Sequence, residues 1–199
     1  MKFSKQQSST WNDHFAQKAK KEQFPARSVY KLKEIQQKTN LIKKGDHVLD
    51  LGCYPGSWLK YASERTGSNG HIIGVDVKSV SIQLPSNVTV YKKDVYQIQK
   101  DFSDFKTGFN VIMSDMSPDT TGNKYADNAQ SFHLCMHALS IVEHYLIING
   151  SFLCKIFQGE DFNMFIDLIK NKFQHYKIFK PKSSRKASRE IYVIGLGFL

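Results

Sequence analysis

The chain is 199 residues long and 41% hydrophobic, with a formal net charge of +10 and a pI near 9.4. That length buries a sizeable core in one domain, and no apolar run is long enough to span a membrane. The first ten residues lack the apolar core of a secretory signal, so a cytoplasmic setting is expected. Charge is unevenly spread. Residues 1–44 hold 11 Lys/Arg against 3 Asp/Glu, and Lys177, Lys180, Lys182, Arg185, Lys186 and Arg189 form a second cluster. Cations concentrated in two segments favour a polyanionic partner over ordinary solubilising lysines. Cys53, Cys135 and Cys154, without C-x-x-C spacing, read as buried thiols, and the seven histidines are too scattered to suggest a metal site.

Residues 1–24 read as a basic arm carrying one weak helix at 12–22 and a mobile tip, and residues 25–199 as a single domain. A helix is expected over 28–38, with Val29, Leu32, Ile35 and Gln36 on its inner face and Lys31 and Lys33 on others. A strand at 47–50 runs through Leu51 into a turn with Gly52 and Gly56. Its G-x-x-x-G spacing, with Pro55 inside and Asp50 ahead, differs from a dinucleotide fingerprint. It suits a ligand with an amino-acid tail and no pyrophosphate, which points to S-adenosylmethionine (SAM). A helix follows to about residue 65, then strands at 72–76, 87–91 and 109–113. The longest helix is expected over 130–147 with Asn149-Gly150 as its stop, then a strand at 151–157 and a helix at 162–173. Two strands, 175–179 and 191–196, close the chain around a Lys/Ser/Arg loop at 180–189. Alternating strands and helices give an α/β fold: a doubly wound, seven-stranded, mostly parallel sheet with helices on both faces. The last connection is short for a parallel crossover, so the final strand should pair antiparallel.

Ligands of such a sheet lie outside the carboxyl ends of its strands. Asp50, Asp76, Asp94 and Asp115 all fall there. Asp76, 20 residues after Gly56, is placed to accept the ribose hydroxyls of an adenosine, and Asp94 to meet its exocyclic amine. Asp50 is discounted, because an acid before a glycine turn often accepts that turn's own N–H groups. Lys155 interrupts S-F-L-C-K-I-F, a run that otherwise reads as a central strand. A lysine there must reach solvent or be paired, since a lone buried ammonium is costly. Asp115, at the end of the neighbouring strand, is the natural partner, and a desolvated lysine is a usable base. Lys31 and Glu190 are unremarkable taken singly.

Six stretches in register carry a family resemblance. They are R-S-V-Y-K-L-K-E-I (27–35), V-L-D-L-G-C-Y-P-G-S-W (48–58), I-I-G-V-D (72–76), V-I-M-S-D-M-S-P (111–118), F-L-C-K-I-F-Q-G-E (152–160) and S-S-R-K-A-S-R-E-I-Y (183–192). Together they resemble the FtsJ/RrmJ family of SAM-dependent RNA 2′-O-ribose methyltransferases, over essentially the whole chain. The resemblance implies a Rossmann-like methyltransferase fold and a catalytic tetrad of Lys31, Asp115, Lys155 and Glu190. It implies SAM bound by Gly56, Trp58, Asp76, Asp94 and Asp115. The implied substrate is a uridine ribose of 23S ribosomal RNA on the assembled large subunit, modified by a monomer without metal or membrane. Two positions depart from the family pattern. Ser57 replaces a glycine, which would be strained if the backbone there needed positive φ. Pro25-Ala26-Arg27 stands where many members have R-S-R, one cation fewer toward RNA. A tRNA, an mRNA cap or a small molecule stays open as substrate, as does a non-catalytic RNA-binding assembly factor.

Overall fold

A computed structural model describes residues 6–100, 108–185 and 187–199. Seven strands form one sheet: β1 (His47–Leu51), β2 (His71–Asp76), β3 (Val88–Lys92), β4 (Phe109–Ser114), β5 (Leu146–Phe157), β6 (Phe173–Phe179) and β7 (Glu190–Phe198), in the order β3-β2-β1-β4-β5-β7-β6. The five strands from β3 to β5 are parallel, and β7 inserts between β5 and β6 antiparallel to both. This is the Rossmann-like arrangement expected, with the antiparallel final strand that its short connection demands.

Period-two alternation sorts the core onto two faces. Leu49, Leu51, Ile73 and Val75 pack on one face with α4 (Lys124–Tyr145) and α5 (Phe162–Lys172). Val48, Ile72, Val111, Met113 and Leu153 pack on the other with α2 (Val29–Thr39) and α3 (Ser57–Thr66). Of α2, Val29, Leu32, Ile35 and Gln36 are buried, the face that the sequence periodicity gives, and Tyr30 is buried with them. Gln36 is buried as an amide: its Nε2 donates to Ile42 O, and its Oε1 accepts from Ile42 N, both at 2.8 Å. It fixes the chain's return toward β1.

Two elements differ from expectation. Helix α4 begins at Lys124, where the Asn123 side chain accepts from the amides of Tyr125 and Ala126, and it ends at Tyr145. No Gly stop is used: β5 starts at once with Leu146 opposite Phe109, then shifts register before Ser151 opposite Val111. Asn149, with φ 62°, lies inside that irregularity and not at a helix end.

The arm helix α1 (Gln6–Lys21) starts earlier than its sequence suggests. The expected mobile tip lies at residues 1–5, outside the described residues. Ala19 and Phe24 are buried with Val29 and Tyr30. The Lys33 ammonium meets Glu22 Oε2 at 2.7 Å and lies 4.5 Å from the Phe24 ring centroid. A cation held by both a carboxylate and a ring contributes about 1 kcal/mol at such a half-exposed site. Substituting Lys33 by Ala should therefore speed tryptic cleavage around Lys20 and Lys21 several-fold while barely moving the global melting temperature. Unchanged cleavage would show that the arm is held by other contacts.

Candidate active site

The carboxyl ends of β1, β2, β4 and β5 open on one crevice. β7, running the other way, brings its first residue to the same place, with Glu190 opposite Phe157 and Tyr192 opposite Lys155. Lys155 is buried in a strand flanked on both sides, so it cannot reach solvent along an open edge. Its ammonium sits 3.0 Å from Asp115 Oδ1 and also donates to the Asp115 backbone carbonyl. The Tyr192 hydroxyl donates to the same Oδ1 at 2.7 Å. Burial works to raise Asp115, but Lys155, Lys31 and the Tyr192 hydroxyl outweigh it and hold the carboxyl below its ordinary range. Burial, then Asp115, drives the Tyr192 hydroxyl well up, so it stays a neutral donor.

Lys31, on the first turn of α2, pairs with Glu190 at 2.7 Å and lies 5.8 Å from the Tyr192 ring centroid. The four residues named from sequence thus form two ion pairs joined through Tyr192, a residue that sequence reasoning missed. Its signal was its register opposite Lys155, which no motif spells out.

A cavity of about 340 Å³ opens beside these pairs, lined by Arg27, Lys31, Ser117, Phe157, Arg185 and Glu190. Arg27 donates to Ser183 O at 2.7 Å, and burial and the neighbouring Arg185 both lower its pKa. Two guanidiniums this close favour an anion between or beside them. The basic loop is pinned by Glu34, whose carboxylate accepts from the amides of Lys182 and Ser183 at 2.7 and 2.9 Å. Arg189 turns away from the cavity: it donates to Asn128 Oδ1 at 2.6 Å and lies 3.4 Å from buried Asp127. It anchors the start of α4, where its charge is paired with Asp127.

The glycine turn follows β1. Gly56, at φ 102°, caps α3, and a Cβ there would lie 2.9 Å from Val80 and Ile82. A Cβ on Gly52, at φ 78°, would meet Met116 at 2.8 Å. Ser57 is the first residue of α3 and is not at positive φ, so the strain expected of a non-glycine does not arise. Its buried hydroxyl clasps Ala26, accepting from the amide at 2.8 Å and donating to the carbonyl at 3.2 Å. Trp58 is buried too, and its indole N–H donates to Ser28 O at 2.9 Å. Asp76 accepts from the amides of Tyr54 and Lys78 at 2.9 and 2.8 Å, and Asp94 from that of Tyr96 at 3.0 Å.

Asp50 departs from expectation. Both carboxylate oxygens are buried without a hydrogen-bond partner among the described residues, so they do not serve the turn's amides. They border a space of about 10 Å³ shared with Gly52, Cys53 and Asp115. Burial, then the nearby Asp115 and Asp76, raises Asp50 well above the ordinary carboxylate range.

A family model described as FtsJ-like methyltransferase matches residues 24–198. The chain belongs to that family. A ribosomal RNA large subunit methyltransferase E of Desulfosudis oleivorans is 49% identical, over 92% of this chain and 89% of its own length. The protein of that name from Desulforapulum autotrophicum is 47% identical over 98% and 96%. Among solved structures, one described as a ribosomal RNA methyltransferase from Plasmodium falciparum superposes with a TM-score of 0.79 at 30% identity, covering 88% of this chain and 99% of that one. No described helix of this methyltransferase is long and apolar enough to cross a membrane, and no group of three or more potential metal ligands occurs among the described residues.

The orphaned Asp50 carboxylate has a testable sign. An acid raised on folding contributes stability only at low pH, and that contribution is lost as pH rises from the unfolded value through the folded one. Asp50→Asn removes the charge, so in ligand-free protein it should raise the melting temperature more at pH 8 than at pH 5. Equal destabilisation at both would mean that the carboxylate is paired.

Proposed function

We propose that this methyltransferase transfers a methyl group from SAM to the 2′-hydroxyl of a uridine ribose in large-subunit ribosomal RNA, acting as a cytoplasmic monomer on the assembled subunit. The observation that carries the reading is the pairing of buried Lys155 with Asp115, 3.0 Å apart, beside a cavity lined by Arg27, Lys31 and Arg185. The names of the relatives, at up to 49% identity, supply the substrate class.

The residues present fit SAM. An unpartnered buried carboxylate at Asp50 suits the cationic amino group of an amino-acid tail, and the missing Cβ atoms at Gly52 and Gly56 keep the turn thin. Gly56 and Trp58 would shape that turn. Asp76 and Asp94, at the ends of β2 and β3, would take the ribose hydroxyls and the adenine amine, and Asp115 would lie at the reacting end. SAM supplies a methyl group already made electrophilic by its sulfonium.

The chain's own residues then have two tasks: to orient a ribose hydroxyl and to manage the proton it loses. Lys155 accepts that proton when its amine is neutral, or steers it away toward solvent. Asp115 fixes the direction of the Lys155 amino group, and the Tyr192 hydroxyl donates to the same carboxylate oxygen. Lys31 holds the ribose or its phosphate, and Glu190, at 2.7 Å, restrains Lys31 and faces the nucleotide from the β7 side. Arg27 and Arg185 neutralise flanking phosphate.

Lys155→Ala tests the assignment. Methyl transfer to isolated large subunits should fall by roughly 10²-fold or more, the range of a lost general base, while calorimetry still shows SAM binding. Turnover retained near the starting rate would contradict it.

A further inference from the structure

A second, larger cavity lies across the segment 25–27 from the ion pairs. It measures about 630 Å³ and is bounded by Lys20, Gln23, Phe24, Arg27, Lys60 and Ile82, which come from α1, the turn after it, α3 and the β2–β3 connection. That is within the roughly 300–1,000 Å³ of binding clefts for small ligands. None of the site residues described above uses it except Arg27, which lines both cavities. Arg27 is therefore the residue shared between the cavity beside the ion pairs and this groove. Arg27 is held there from two sides. Its own side chain donates to Ser183 O at 2.7 Å, and the Ser57 hydroxyl clasps the preceding residue, Ala26, at 2.8 Å.

The chemistry of the lining is one-sided. Lys20, Arg27 and Lys60 contribute charge, no carboxylate lines the groove among the described residues, and Phe24, Pro25 and Ile82 give it an apolar side. Lys60 is fixed by donating to Gln23 O at 2.8 Å and lies 5.1 Å from the Phe24 ring centroid. Ile82 packs against Gly56 and so stands between this groove and the glycine turn, which separates it from the place of the methyl donor. Cations beside apolar surface, without acids, match a single nucleic-acid strand: phosphates on the charges, base and sugar on the apolar side.

We propose that this groove holds the nucleotide next to the target along the same RNA strand, with the phosphate between the two nucleotides on Arg27. The inference rests on the reading of RNA as substrate and adds a subsite to it. It gives the arm helix a task, as one wall of the substrate track.

The test uses the full chain and large ribosomal subunits from a strain lacking this methyltransferase. Methylation by the unaltered chain tests the substrate reading by itself; without it, that reading fails first. Given that activity, two variants at exposed positions of α1 probe the groove. Ala16→Trp fills it and should raise KM for subunits about tenfold, the loss of roughly one stacked or phosphate contact, with kcat and SAM affinity unchanged. Lys20→Glu should also raise KM and flatten its dependence on salt by about one unit of log–log slope or more. Arg65→Glu, at the far end of α3, makes the same charge change away from the groove and should alter neither. If Ala16→Trp and Lys20→Glu keep the original KM, or if Arg65→Glu matches their loss, the groove holds no RNA.

Discussion

A buried ammonium in the middle of a sheet is the constraint from which the rest of the site follows. Lys155 occupies β5, between β4 and β7, where an unpaired charge would cost several kcal/mol. Asp115 offsets that cost, and only because β4 ends one residue before it, in parallel register with β5. Asp115 is itself mostly withdrawn from solvent and needs its own partners. Tyr192 supplies a hydroxyl at 2.7 Å, and it can do so because β7 runs antiparallel and sets Tyr192 opposite Lys155. The antiparallel strand is thus part of the site's electrostatics as well as of the sheet.

The same register carries Glu190 to the mouth of the crevice, where it meets Lys31 from α2. Two ion pairs from four separate segments then share one tyrosine. Breaking either partner of the inner pair would leave the other buried and uncompensated, which is the costly way to lose such a pair. The glycine turn and this tetrad are also joined mechanically. Ser57 and Trp58, which open α3, hold Ala26 and Ser28 by hydrogen bonds, so the glycine turn and the segment carrying Arg27 are fixed to each other.

Much of this was legible in the residues. Continuous apolar runs gave the parallel strands, and Lys155 inside one of them required a partner that the strand order supplies. Less legible were features that depend on register or on backbone partners. Tyr192 reads as an apolar strand residue until β7 is placed beside β5. Arg189 looks like one more surface cation, although Asp127 and Asn128 draw it inward. Nothing in the sequence marks Glu34, yet it accepts two loop amides more than a hundred residues away. Ser57 looked like a source of strain because the pattern suggested a glycine, whereas its backbone is helical and its hydroxyl is used. Helix α4 starts six residues ahead of the apolar pattern that begins at residue 130, because Asn123 caps it through a side chain and its first turns are polar. Asp50 was discounted by analogy with turn-capping acids; its two unpartnered oxygens show that burial, and not local hydrogen bonding, governs it.

These paired charges are proposed to act on a ribose of large-subunit RNA. Mapping of 2′-O-methyl groups in ribosomal RNA, with and without this gene product, tests it most directly. One uridine of the large-subunit RNA should lose its ribose methyl when the protein is absent and regain it when the intact chain is returned. An unchanged methylation map in the large-subunit RNA would contradict it.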